Sequence, residues 1–308
     1  MKRVLIPYLV AVFMVGALLG VAHLAFADTA STAVTVSNSA PSVSAVTTNA
    51  GSAITLTENT STSVTLTGTI TDANGCSDVI TSGSVTIALY RSGVTSTSAC
   101  TADSNVCYRT TTYSVQASDT CAGGTDTTAN VSTTLSLWYY AEATDASSTY
   151  PTNTWITTIT AADAAAASGN AAATGVELNS LYALNVTGSI SYGSLTANTT
   201  TGASNQTATI TNTGNYKTDT EFTGTDMTSG GNTIAATNEK YGLSDVTYAS
   251  LSFSLSTSAT NRDTNIIKTT TSTTPSTQAT YWGISVPNGQ VAAAYTGTNT
   301  FTSVYSAN

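Results

Sequence analysis

The sequence predicts an all-β protein made of two tandem antiparallel β-sandwiches behind an N-terminal export segment. Three observations carry this expectation. Apolar side chains alternate with small polar ones in short runs, the period of a strand with one face in a core. Clusters of Gly, Asn, Asp and Pro punctuate these runs roughly every ten residues, the spacing of short antiparallel strands. Only 8% of the 308 residues are charged, whereas 41% are hydrophobic, so the chain has apolar material for cores, and Thr and Ser face solvent in place of charges. Disorder needs the opposite balance, and β-branched Thr suits a pleated surface.

Lys2 and Arg3 precede a segment, 4–24, that contains no Lys, Arg, Asp or Glu, and Ala25, Phe26 and Ala27 form a small-x-small cleavage site ahead of Asp28. Residues 1–27 therefore read as a signal peptide. The alternative is an uncleaved anchor, since the apolar stretch is long enough to span a bilayer. Residues 28–49 read as an N-terminal arm or first strand, with alternation at Val34 and Val36 and a break at Pro41.

Residues 50–160 form the first predicted sandwich, with strand patterns at 54–56, 64–70, 85–89, 108–115, 131–141 and 155–159. Leu135, Leu137, Tyr139 and Ala141 share one face, and Asp72, Asn74 and Gly75 form a turn. Residues 161–175 have no large side chain and read as an Ala/Gly-rich linker. Residues 176–308 form the second sandwich. Tyr182, Leu184, Val186, Ile190 and Tyr192 alternate along one predicted strand. Asn212, Gly214 and Asn215 predict a hairpin between 207–211 and 216–222, and Pro287, Asn288 and Gly289 predict another that runs on to Tyr295. Tyr248, Leu251, Phe253 and Leu255 alternate with a slip at Ser250.

The lone histidine, His23, lies in the leader. The exported chain then has no Ser-His-Asp or Cys-His machinery and no imidazole ligand, and no enzyme is expected. The net charge of −9 argues against nucleic acid, because phosphate binding needs a basic surface. No second long apolar segment follows the leader, so no membrane contact is expected after cleavage. Four cysteines, Cys76, Cys100, Cys107 and Cys121, suggest two disulfides in an exported chain. Of the three pairings, Cys100–Cys107 with Cys76–Cys121 is favoured. A four-thiolate metal site is disfavoured because no CxxC pair occurs.

Calcium is the cofactor that the acidic residues suggest. It takes several oxygen ligands, and Asp72, Asn74, Asp78, Glu142 and Asp145 fall in two turns that a sandwich can bring to one pole. The competing reading is that Asp and Asn form turns by bonding their own backbone. Trp138, Trp155 and Trp282 sit in strand patterns and read as core. Asn59, Asn130, Asn185, Asn198 and Asn205 each begin an Asn-x-Ser/Thr sequon, the acceptor signature for glycosylation.

Ile70, Asp72, Asn74 and Gly75, with Tyr139, Glu142, Asp145 and Trp155 further on, resemble the tandem Ig-like or cadherin-like modules of prokaryotic surface proteins. Ile210, Asn212 and Asn215, with Tyr281, Trp282 and Gly289, are similar to the C-terminal sandwiches of such proteins, a style shared by hydroxyl-rich, thread-like extracellular filament subunits. The resemblance implies two tandem Ig-like sandwiches in an extracellular, cell-surface protein. The expected function is structural: a self-assembling filament subunit joined by β-strand addition, whose partners are further copies of itself or other surface proteins. Nearly uncharged, Thr-rich edges invite such pairing, and Val34 and Val36 mark the assembly arm. The rival is a surface adhesin, a carbohydrate- or protein-binding module that uses the loops at one sandwich pole.

Overall fold

A computed structural model describes residues 29–94, 104–122 and 124–306. The expected leader, residues 1–27, lies outside the described residues, as does Cys100. The compact unit begins at Asn38. Within it the described residues are nearly all-β, in several antiparallel sheets. Among the described residues no helix is long and apolar enough to cross a membrane.

Among the described residues the first half has eight strands: β1 (Ser42–Thr48), β2 (Ser61–Thr71), β3 (Ser84–Arg91), β4 (Cys107–Thr110), β5 (Ser114–Val115), β6 (Thr128–Trp138), β7 (Trp155–Ala162) and β8 (Ser168–Ala172). They form two four-stranded sheets, β1-β2-β6-β5 and β4-β3-β7-β8. The longest pairing runs from Ser61↔Trp138 to Thr71↔Thr128 between β2 and β6. The alternation explains the packing. Val64, Leu66 and Ile70 of β2 are buried and meet Ile87 and Leu89 of β3, Leu137 of β6, and Trp155 and Ile159 of β7 in one core. Each fully buried Ile or Leu contributes about 1.5–3 kcal/mol. Some of the hydroxyls inside are paired: buried Thr48 Oγ1 lies 2.7 Å from Thr157 Oγ1 and accepts from Thr157 N at 3.1 Å.

A short helix, α1 (Cys76–Ile80), follows β2, where the sequence signals only a turn. Gly83 lets its end dock against β7, because a Cβ there would collide with the Ala162 carbonyl.

The second half carries β9 (Leu184–Thr187), β10 (Thr199–Thr200), β11 (Gln206–Asn212), β12 (Thr218–Gly224), β13 (Met227–Ser229), β14 (Asn232–Ile234), β15 (Glu239–Gly242), β16 (Phe253–Ser254), β17 (Thr260–Ile266), β18 (Thr277–Val286) and β19 (Asn299–Tyr305). One sheet has the order β16-β15-β18-β11-β9, with β10 also on β18; another is β17-β12-β19; β13 and β14 pair as a hairpin. The core between the sheets is aromatic. Tyr241 stacks on Trp282 at 4.8 Å, and Phe222 lies 4.5 Å from Tyr241 and 5.1 Å from Phe301.

Several expectations are corrected. Residues 161–175 are not a linker: Ala161 and Ala162 end β7, and Ser168–Ala172 pairs with it as β8. At Gly169 a side chain is excluded because β8 abuts the chain at Pro41, and a Cβ there would collide with the Pro41 carbonyl. The first half also extends past 175, since Ile54 bridges Leu178, Trp155 bridges Val176, and both Val176 and Leu178 join its core. Residues 28–49, read as an arm or first strand, divide: Ser42–Thr48 is the first strand, β1, paired with β2, and the described residues before it carry no secondary structure.

Neither predicted hairpin of the second half forms. β11 and β12 belong to different sheets, as do β18 and β19. The 212–215 segment is a corner between sheets. Buried Asn212 donates Nδ2 to the carbonyls of Tyr216, Ile266 and Ile267, and its Oδ1 accepts from Gly214 N. The predicted strand through 182–192 stops at Thr187, before Gly188 at φ 102°, although Ile190 and Tyr192 still pack on the core. The slip at Ser250 is a 3-10 turn, Tyr248–Ser250.

Candidate functional site

The end of β2 leads through a hydrogen-bonded turn into a disulfide-tied helix. Asp72 N donates to Thr127 O at 2.9 Å, and Gly75 N returns to Asp72 O at 3.1 Å. Asn74 N donates to Asp72 Oδ1 at 2.8 Å. Gly75, at φ 114°, then turns the chain into α1. Cys76, the first residue of α1, is joined to Cys121 with a Cα–Cα distance of 5.3 Å, the second of the two pairings favoured above. Cys107 is also disulfide-bonded; its expected partner, Cys100, lies outside the described residues. Asp126 sits beside the Cys76–Cys121 bridge, but its Oδ2 serves the loop, accepting from Cys121 N at 2.7 Å and Thr120 Oγ1 at 3.1 Å.

Behind the bridge three carboxylates converge. Oxygens of Asp72, Asp78 and Asp163 all lie within 4.8 Å of one another. Asp72 comes from the turn, Asp78 from α1, and Asp163 from the end of β7. Asp72 is fully buried, and its Oδ2 has no hydrogen-bond partner. Asp163, 4% exposed, accepts from Asn38 Nδ2 at 2.8 Å through Oδ2 and from Ala167 N at 2.9 Å through Oδ1. Asn74 Oδ1 accepts from Ser39 N at 2.7 Å.

Of the five residues expected at a calcium site, the structure brings Asp72, Asn74 and Asp78 to this pole and employs the other two elsewhere. Glu142 is ion-paired with Arg91 at 2.6 Å, whose guanidinium lies over the Tyr150 ring. Asp145 accepts from Ser180 N at 2.6 Å and Ser180 Oγ at 2.8 Å. Asp163 was not recognisable because it lies in the apparent linker.

The remaining candidates separate by burial. Trp155 and Trp282 are fully buried, but Trp138 is 36% exposed and stacks on Tyr140, a correction to its core assignment. It lies one step off the inward face of Leu137 and Tyr139. Asn59, Asn185 and Asn198 are exposed. Asn130 and Asn205 are committed internally: Asn130 Oδ1 accepts from Thr69 Oγ1 at 2.7 Å, and Asn205 Nδ2 donates to Asp245 Oδ1 at 2.7 Å. Val34 and Val36, on a segment without secondary structure, are 87% and 79% exposed.

In the second half, an open groove of about 720 Å³ is lined by Tyr192, Ile234, Ile284, Val286 and Val291, among others. Ile234 lies on β14, which among the described residues pairs only with β13. Near its floor, burial pushes the Tyr192 hydroxyl far up from its ordinary pKa, with the neighbouring Glu239 adding to the shift. Burial likewise raises Glu239, and the hydrogen bond from Asn299 opposes that rise, as does the nearby Tyr192 hydroxyl.

No protein-family model matches the chain, and no curated protein matches its sequence.

Proposed function

We propose that this chain is an exported, structural cell-surface protein of two Ig-like sandwiches that assembles by β-strand addition, the arm of one copy pairing with another copy. The observation that carries this reading is the exposure of Val34 and Val36, at 87% and 79%, on a segment with no strand partner. Residues two apart point to the same side of an extended strand. Burying both valines in a partner would contribute about 1.5–3 kcal/mol each, in addition to the main-chain bonds.

The groove beside β14 supplies what such an arm needs: apolar side chains at Ile234, Ile284 and Val286, and a strand with one unpaired edge. In this reading the incoming arm runs along β14 and seats its valines in the groove. β14 itself, Asn232–Ile234, carries no charge, so it lacks the Lys or Pro with which monomers defend an edge.

The test is deletion of residues 29–37, which leaves Asn38 and its bond to Asp163 intact. Full-length mature chain is expected to form polymers visible by electron microscopy. The deletion is expected to remain monomeric with unchanged melting. A full-length chain that stays monomeric at high concentration, or polymers that survive the deletion, would refute strand addition by this arm.

A further inference from the structure

We infer that Asp72, Asp78 and Asp163 form a divalent-cation site, with calcium the ion that fits. Buried carboxylates are paired or coordinate a metal. Here Asp72 is fully buried, Asp163 nearly so, and Asp78 half-buried beside them. Among the described residues none of the three has an ion-pair partner; Arg91 is held by Glu142.

Asp72 Oδ2 is the decisive atom. Its sister oxygen is taken by Asn74 N, but Oδ2 is buried with no hydrogen-bond partner, on a residue whose carboxylate lies among those of Asp78 and Asp163. Three negative groups crowded together repel, and a buried carboxylate oxygen without a donor beside two further carboxylates is what a cation would bind. Two oxygens bound to one calcium at 2.3–2.6 Å lie at most about 5 Å apart. The mutual limit of 4.8 Å meets that condition without rearrangement.

The donor set is all oxygen, without imidazole or thiolate, because the nearby Cys76 and Cys121 are consumed in their disulfide. Hard oxygen donors suit calcium and not zinc. Asn38 and Ser39, the first residues of the compact unit, bond Asp163 and Asn74. An ion held here therefore also fixes the point where the compact unit begins. This inference is independent of whether the arm assembles copies.

The experiment uses the full mature chain freed of metal by chelation, with calcium chloride as the probe, followed by calorimetric melting and titration calorimetry. Calcium is expected to bind one site per chain and to raise the melting temperature by on the order of 5 °C or more at saturation. Asp72→Asn and, separately, Asp78→Asn are expected to lose the calcium-dependent rise. Their metal-free melting should equal or exceed that of the parent, because a repelling charge is gone. Asp145→Asn keeps the full response, since its carboxylate serves Ser180. The half-buried Asp78 supplies the test if Asp72→Asn fails to fold. The inference is overturned if neither heat nor a melting shift appears up to about 10 mM calcium, tenfold above the weakest extracellular calcium modules. It is equally overturned if Asp78→Asn responds like the parent.

Discussion

Lys268 Nζ donates to Asn105 Oδ1 at 2.5 Å and to Tyr140 O at 2.8 Å, so an ammonium from the loop after β17 closes onto the first half of the chain. Asn105 answers by donating Nδ2 to Thr270 O at 2.9 Å. Lys268→Met keeps the aliphatic stem and removes the charge-assisted bonds. The expected cost is about 1–3 kcal/mol. Calorimetry should show the two halves melting further apart than in the parent, because the substitution loosens the join and leaves both cores intact.

The Cys76–Cys121 bridge spans 45 residues and ties α1 to the loop before β6. Replacing both cysteines with Ser is expected to cost about 2–5 kcal/mol, chiefly by freeing the unfolded chain. The loss should fall on the first half alone, since both sulfurs lie there. Hydrogen exchange resolves this: amides of α1 and of 116–126 should lose protection, while those of β11 and β18 keep theirs.

The strand patterns of the first half were legible because their alternation is strict. Val64, Leu66 and Ile70 point inward in the sequence and in the core. The corners were not legible. Asn212, Gly214 and Asn215 look like a hairpin turn, yet Asn212 spends its amide on three carbonyls from two segments, and that long-range pairing sends β12 to another sheet. The candidate site was half legible for a related reason. Asp72, Asn74 and Asp78 lie within one local turn and helix, whereas Asp163 arrives through the tertiary fold from a segment with no hydrophobic period. Glu142 and Asp145 looked equivalent to them by type, and only their partners Arg91 and Ser180 distinguish them.

Glu239 makes the second half sensitive to pH. Burial raises its pKa above the ordinary carboxylate value of 4.5, against the hydrogen bond from Asn299 and the nearby Tyr192 hydroxyl. The folded chain therefore holds this proton more tightly than the unfolded chain. Stability from this group is fully present below about pH 4.5 and is lost as pH rises through the raised folded value. Glu239→Gln keeps an acceptor for Asn299 Nδ2, which donates to Glu239 Oε2 at 2.6 Å. Melting followed from acid to neutral pH should show the variant more stable than the parent near neutrality and equal to it at the acid end. A variant less stable than the parent at neutral pH would mean that the charged form is the one the site favours.

Gly169 separates an edge strand from a linker. It lies mid-way along β8, paired with Ala161 of β7, and its Cα faces the Pro41 backbone so closely that a Cβ would collide with the carbonyl. Backbone cannot swing aside as a long side chain can, so Gly169→Ala must push β8 off β7 or displace the start of β1. Overpacking of this kind typically costs about 1–3 kcal/mol. In a flexible linker the same change would be neutral or slightly stabilising, because Ala restricts the unfolded chain. The melting temperature of the first half is therefore expected to fall. Gly231→Ala, at a position with open space around its Cα, serves as the control and should leave melting within experimental error of the parent. The displacement reaches Asn38 through Pro41, so Gly169→Ala should also weaken any calcium-dependent stabilisation, although none of the three carboxylates has been altered.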